Sequence, residues 1–141
     1  MDIQEAEARA IHDRLLTIDT HIDTGPGFAT AALDPGTITR AQVDLPGMRI
    51  GGLDAGFFIV YTAQGALDAE GYATARQAAE DKYRGIERML RAYPGQIALA
   101  RTADQVAEIA ATGRLVALIG MENCYPLGES IEDVPIWAAR G

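Results

Sequence analysis

The sequence predicts an α/β protein whose strands form a parallel sheet. Two nearly continuous apolar runs, AGFFIVYT over residues 55–62 and LVALIGM over residues 115–121, have the composition of strands that are buried on both faces. Segments with the three- to four-residue spacing of amphipathic helices lie between and beside these runs. Alternation of buried strands with helices is typical of a parallel α/β sheet.

The N-terminal third is predicted to contain a helix, a strand and a long loop. Residues 3–15 have apolar side chains at helical spacing, with Asp2 as the expected N-cap and Glu5 three residues later. Residues 15–23 then change to the two-residue period of a strand. Residues 24–52 are rich in Gly, Pro and Thr and have weak periodicity, which predicts a functional loop with short turns.

The remaining elements continue the alternation. Residues 69–92 are predicted to form a long amphipathic helix, because their apolar side chains step by three or four. A short apolar piece over 97–100 precedes Thr102, the expected cap of a helix over 103–112. A last helix is predicted over 130–139.

Composition limits the classes to which the protein can belong. With 141 residues, of which 48% are hydrophobic and 23% charged, the chain can form one core, so residues 1–141 are expected to lie in a single domain. The net charge of -8, mixed along the chain, would repel a phosphate backbone, so nucleic acid is not an expected partner. No apolar run approaches the roughly 18 residues of a transmembrane segment.

The cellular compartment stays open at this stage. The single cysteine, Cys124, excludes an internal disulfide and does not decide the redox environment. The acidic N-terminus lacks the basic start and the apolar core of a secretion signal. The sequence as given therefore predicts a cytoplasmic protein, and a periplasmic one if a signal peptide has been removed.

Candidate metal ligands occur at the predicted carboxyl ends of two strands. In the stretch LTIDTHID, Asp19, His21 and Asp23 occupy every second position, so a strand would place their side chains on one face. Glu122 comes directly after the apolar run 115–121. Parallel α/β folds bind ligands at the carboxyl ends of their strands, and one imidazole with two carboxylates suits zinc. The sequence predicts a metal site formed by His21, Asp23 and Glu122, the alternative being a solvated, hydrogen-bonded strand end.

Other polar residues are less specific candidates. Asp19 shares the face of His21 but lies deeper in the strand, where it could orient a ligand or simply accept hydrogen bonds. His12 lies in a helix between charged neighbours and is expected to be structural. Cys124 is expected to be a small, partly buried residue rather than a nucleophile, since no neighbouring base or cation would lower its pKa.

Three segments resemble a known family in the same order along the chain. IDTHIDT, VDLPGMRIGGLDAGFFIVYT and LVALIGMENCYPLG are similar to the N-terminal part of the membrane (renal) dipeptidases, zinc enzymes of the amidohydrolase superfamily. The resemblance implies a (β/α)8 TIM barrel. Because such barrels typically need about 250 residues, this chain would supply about the first three strand–helix units, the N-terminal part of a single metal-dependent hydrolase domain.

The resemblance also implies roles for individual residues. His21 and Asp23 would bind the first of two zinc ions, and Glu122 would bridge both ions and so hold the hydroxide that attacks the scissile peptide bond. Asp19 and Asn123 would support these ligands from outside the coordination sphere. The implied activity is zinc-dependent hydrolysis of dipeptides, often with a D-residue at the carboxyl side.

Two departures from the family bear on this activity. Asn123 occupies a position where the family often has glycine, and Asn also tolerates unusual backbone angles. No histidine follows His21, whereas the family binds its second zinc through histidines of later strands. Two alternatives to a dipeptidase therefore remain: a related amidohydrolase acting on N-acyl amino acids or other small amides, and a non-catalytic truncated chain. The apolar edge of the last strand would be open, so a homodimer is possible.

Overall fold

A computed structural model describes residues 3–141, and the expected N-cap Asp2 lies outside this range. The helices and strands within it are α1 (Ile3–His12), β1 (Ile18–Asp23), α2 (Leu45–Gly51), β2 (Ala55–Tyr61), α3 (Ala69–Ala92), β3 (Ile97–Leu99), α4 (Ala103–Ala110), β4 (Leu115–Glu122) and α5 (Val134–Arg140). Short 3-10 helices cover Tyr125–Leu127 and Ile131–Asp133. None of the helices between residues 3 and 141 is long and apolar enough to cross a membrane.

The four strands form one parallel sheet, which confirms the predicted fold class. Their order is β1-β2-β4-β3, so β4 lies beside β2 and the short β3 takes the edge. β2 and β4 pair over seven residues, from Ala55 opposite Val116 to Tyr61 opposite Glu122. β3 pairs only with the first three residues of β4. Within residues 3–141, the carboxyl half of β4 therefore has a strand neighbour on one side only.

The two faces of the sheet differ in how they are covered. On the first face, Ile22, Phe58 and Val60 are buried in one cluster with Ile86 and Met89 of α3. We call this the helix-covered face. Burial of these side chains stabilises the sheet by roughly 1.5–3 kcal/mol for each large apolar residue.

The opposite face, called the inner face below, is only partly covered. The part of this face at the amino ends of the strands packs on α4. There Val106 and Val116 are buried in a small cluster, and Leu118, which is partly buried, packs against that cluster. Further along, a side chain on Gly120 would approach the Ile59 side chain to 2.8 Å, so these two residues share this face. By strand alternation, Glu122 at the end of β4 points to the same side.

The predicted loop over residues 24–52 is wrong in its last part, which forms α2. Asp44 begins the helix, its Oδ1 accepting a hydrogen bond from the Gly47 backbone N–H at 2.7 Å. Gly52 ends it in a left-handed conformation at φ 73°. These are ordinary helix signals, but Gly47 and Gly51 interrupt the apolar pattern inside the helix and conceal it.

Smaller differences concern the ends of elements. α1 ends at His12, three residues earlier than expected, and β1 begins only at Ile18. The predicted helix over 130–139 is divided into a 3-10 turn and α5. Trp137 of α5 packs against the core, whereas Ile131 in the 3-10 turn is 84% exposed.

Candidate metal centre

The structure brings His21, Asp23 and Glu122 together at the carboxyl edge of the sheet. His21 Nε2 lies 3.1 Å from Glu122 Oε2 and 3.7 Å from Asp23 Oδ1. One possible ligand atom from each of the three residues lies within 4.8 Å of the other two. His21 and Asp23 belong to β1 and Glu122 belongs to β4. β2 lies between these two strands in the sheet.

The donor set fits a divalent transition metal. It offers one imidazole nitrogen and two carboxylates, ligands that suit zinc. The three side chains remain 48–65% exposed, so all three are accessible from solution. Exposed His and acidic side chains also pair without any metal, and the proximity of His21 to Glu122 is equally what an ion pair with a charged imidazole would give.

Asp19 supports the backbone of His21 rather than its ring. The pairing of β1 with β2 shifts in register between Asp19 and Ile22. At this irregularity Asp19 Oδ1 accepts a hydrogen bond of 2.9 Å from the His21 backbone N–H. The carboxylate therefore fixes the segment of β1 that carries the candidate ligand.

Asn123 connects the ends of β2 and β4 immediately after Glu122. Its backbone is left-handed, at φ 71°. Its side-chain Nδ2 donates to the Thr62 carbonyl at 2.9 Å, and its Oδ1 accepts from the Tyr125 backbone N–H at 3.0 Å. Asparagine adopts this left-handed conformation more readily than most residues, and here its side chain adds two hydrogen bonds.

Sequence reasoning missed Lys82, the only lysine of the chain. It lies in α3, and its Nζ donates to the backbone carbonyl of Thr24, the residue after Asp23, at 2.8 Å. Its neighbours in sequence, Asp81 and Tyr83, give no sign of this contact. The partner is 58 residues away, so no local pattern could have shown it.

Neither His12 nor Cys124 belongs to the cluster of candidate ligands. His12 Nε2 lies 3.0 Å from the Gly52 carbonyl oxygen, where it ties α1 to the end of α2, as expected of a structural residue. Cys124 is exposed, so the expectation of partial burial was wrong. Cys124 lies beyond the end of β4, directly before the 3-10 helix Tyr125–Leu127, and so is not covered as a residue inside the sheet would be.

A family model matches nearly the whole chain. The family model for membrane dipeptidases (peptidase family M19) matches residues 5–141. The chain therefore belongs to the membrane dipeptidase family. No curated protein matches it significantly.

Solved structures share the fold over only part of their length. The chain is similar to a probable dipeptidase PvdM from Pseudomonas aeruginosa, with 24% identity and a TM-score of 0.91 over 99% of this chain and 36% of that one. It is also similar to a dipeptidase AC, a metallopeptidase, with 23% identity, a TM-score of 0.71 and 90% and 40% coverage. A metallopeptidase from Rhodobacter sphaeroides, liganded with a phosphinate mimic of the dipeptide L-Ala-D-Ala, gives 22% identity, a TM-score of 0.71 and 90% and 43% coverage. The chain thus spans roughly two fifths of the structures it matches, as expected for the N-terminal part of a TIM-barrel dipeptidase.

Proposed function

We propose that this chain carries one part of the metal centre of a zinc-dependent dipeptidase. The observation that supports the proposal is the convergence of His21, Asp23 and Glu122 at one edge of the sheet, in a member of the membrane dipeptidase family. The residues that the resemblance assigns to metal binding are thus close together in space as well as matched in sequence.

Each residue has a separate part in the proposed site. His21 and Asp23 would hold one zinc ion, and Glu122 would offer its carboxylate to that ion and to a second one. Bound zinc lowers the pKa of a water molecule to about 7 and polarises a carbonyl group. Asp19 holds the backbone of His21 in place, and Asn123 holds the turn that follows Glu122.

The proposed substrate is a dipeptide. The Rhodobacter sphaeroides metallopeptidase is bound to a mimic of L-Ala-D-Ala, which supports a small peptide as the substrate class for a chain with the same fold. A related amidohydrolase would use N-acyl amino acids or other small amides at the same ligands. A non-catalytic chain would bind zinc and hydrolyse neither.

The first test measures zinc affinity by competition with a coloured chelator. Replacing His21 by Ala should weaken binding by more than about 100-fold, since loss of a ligand should exceed the 10–100-fold effect of losing an outer partner. His12→Gln is the matched control, because it alters the only other histidine and should leave zinc affinity unchanged. Equal affinity of His21→Ala and the unaltered protein would contradict the ligand assignment and favour the ion pair.

The second test uses the same zinc-loaded proteins as enzymes. Hydrolysis of L-Ala-D-Ala that is lost in His21→Ala supports the dipeptidase. Hydrolysis of N-acetyl amino acids without hydrolysis of dipeptides would support the related amidohydrolase. Tight zinc binding with no hydrolysis of either substrate would support the non-catalytic chain.

A further inference from the structure

Lys82 contacts the ends of two neighbouring strands at the candidate metal centre. Its ammonium group donates to the Thr24 carbonyl at 2.8 Å, directly after Asp23 in the chain. The same nitrogen lies 5.7 Å from the centre of the Tyr61 ring, at the end of β2. In the sheet, Tyr61 pairs with Glu122. One side chain of α3 therefore contacts the strand end that carries Asp23 and the residue that pairs with Glu122.

Two side-chain hydrogen bonds involve Thr24, and the one from Lys82 is the shorter. The Thr24 side chain is buried, but its hydroxyl lies 3.4 Å from the Ile59 carbonyl, which is long for an O–H···O hydrogen bond. A charged donor at 2.8 Å is much stronger than this neutral contact. Lys82 thus adds a charged hydrogen bond just beyond the point where Asp23 pairs with Ile59 in the sheet.

We propose that Lys82 is a positioning residue for the metal centre. By holding the Thr24 carbonyl, it fixes the end of β1 and keeps the Asp23 carboxylate near His21 and Glu122. The inference rests on the proposed function, because it assumes that these three residues bind zinc. Removal of the lysine then lowers zinc affinity although no ligand has been changed.

The sign of this effect separates positioning from simple electrostatics. A cation near the site repels zinc, so loss of the charge alone would strengthen zinc binding. Loss of the hydrogen bond to Thr24 would weaken it, because Asp23 is no longer held in place. A decrease in affinity on removing a positive charge is therefore specific to a positioning role.

Arg88 provides a matched control on the same helix. Its guanidinium group donates to the carbonyls of Phe28 and Ala29, at 3.1 and 3.2 Å, in the same loop as Thr24 but five and six residues beyond Asp23. Arg88→Met removes one positive charge and one attachment of the loop to α3. The Arg88 side chain makes its hydrogen bonds to Phe28 and Ala29 and not to the strand ends at the metal centre.

The experiment compares zinc affinity by chelator competition in the unaltered protein, Lys82→Met, Lys82→Arg and Arg88→Met, with thermal unfolding followed by circular dichroism to verify folding. We expect Lys82→Met to lose about tenfold in zinc affinity, in the range typical of outer partners of metal ligands. Lys82→Arg, which keeps a charged donor, should recover most of it, and Arg88→Met should stay within about twofold. The visible spectrum of the cobalt(II) form should change in Lys82→Met alone, since it reports the coordination geometry.

Unchanged or tighter zinc binding in Lys82→Met, or an equal loss in Arg88→Met, would overturn the inference while leaving the zinc site intact. Absence of zinc binding in the unaltered protein would remove the proposed function and this inference together. If Lys82→Met does not fold, acetylation of the folded protein tests the same contact, because Lys82 carries the only amine of the chain besides the N-terminal one. Acetylated Lys82→Arg is then the control, and equal zinc affinity of the two acetylated proteins would overturn the inference.

Discussion

Asn123 is a residue whose backbone and side chain act on the same turn. Its left-handed backbone ends β4 directly after Glu122, and its amide connects Thr62 with Tyr125. Glycine would keep the backbone conformation and lose both hydrogen bonds, whereas alanine would lose the bonds and also strain the backbone. The two substitutions therefore separate the contribution of the side-chain hydrogen bonds to stability from that of the backbone conformation.

We expect Asn123→Gly to destabilise the protein by about 1–2 kcal/mol and Asn123→Ala by about 1–2 kcal/mol more, from lost hydrogen bonds and from left-handed strain respectively. Urea unfolding followed by circular dichroism measures both. Both variants should also weaken zinc binding, because the turn fixes the end of β4. Equal stability of the two variants would show that the φ of 71° costs alanine nothing here.

At the scale of elements, the long loop after β1 is attached to α3 by side chains. The Tyr93 hydroxyl, at the carboxyl end of α3, donates to Asp34 Oδ1 at 2.5 Å. Gly36 permits this approach, since a side chain at that position would collide with the Tyr93 ring. The hydrogen bond from Tyr93, followed by the one from the Gly36 backbone, lowers the pKa of Asp34. The same contact with Asp34 raises the pKa of Tyr93.

These shifts determine how the attachment depends on pH. The pKa of Asp34 is lower in the folded state than its ordinary value of 3.8, so its stabilising effect is complete above that value and is lost as the pH falls through the folded pKa. We expect Tyr93→Phe to unfold at lower urea concentration than the unaltered protein at pH 7. The difference should shrink below about pH 4. A difference that stays constant down to pH 3 would contradict the coupling. Tyr72→Phe, at a tyrosine within α3, controls for the loss of a hydroxyl.

The strands and helices with a strong local sequence pattern are the ones that the sequence predicts correctly. The strand over 55–62, the strand over 115–121 and the helix over 69–92 agree with the structure to within a residue or so at each end. Burial on both faces, or a long regular stripe of apolar side chains, leaves a strong local pattern. α2 was missed because its internal glycines weaken that pattern. The position of β3 beside β4 depends on long-range pairing, for which no local pattern exists.

The candidate site was predictable to a similar extent. The alternation of Asp19, His21 and Asp23 is visible in the sequence, and the position of Glu122 follows from the strand before it. The partners that hold these residues in place are not visible, because Lys82 and Thr24 meet only when α3 packs on the sheet. Ligands can be inferred from local periodicity, whereas their supports require the tertiary fold.

At the scale of the whole molecule, two apolar surfaces of the sheet remain partly exposed. One is the inner face, and the other is the edge of β4 that β3 leaves unpaired, called the free side of β4. Ile18 of β1 is 45% exposed, and Phe57 and Leu118 on the same face are partly exposed. Within residues 3–141, β4 has no strand partner on its outer side from Leu118 onward. An apolar strand edge with unpaired backbone groups is prone to pair with another chain.

We therefore expect this 141-residue chain to associate with itself in solution, as a dimer or a larger species, at micromolar concentrations. Leu118→Lys should reduce the association, since a lysine at a strand edge opposes pairing and its charge is costly to bury at an interface. Ile131→Lys is the matched control, because Ile131 is 84% exposed and lies in a 3-10 turn rather than at the sheet edge. Sedimentation velocity over a range of concentrations measures the effect. A chain that stays monomeric throughout, or an equal effect of both lysines, would show that the free side of β4 does not drive association.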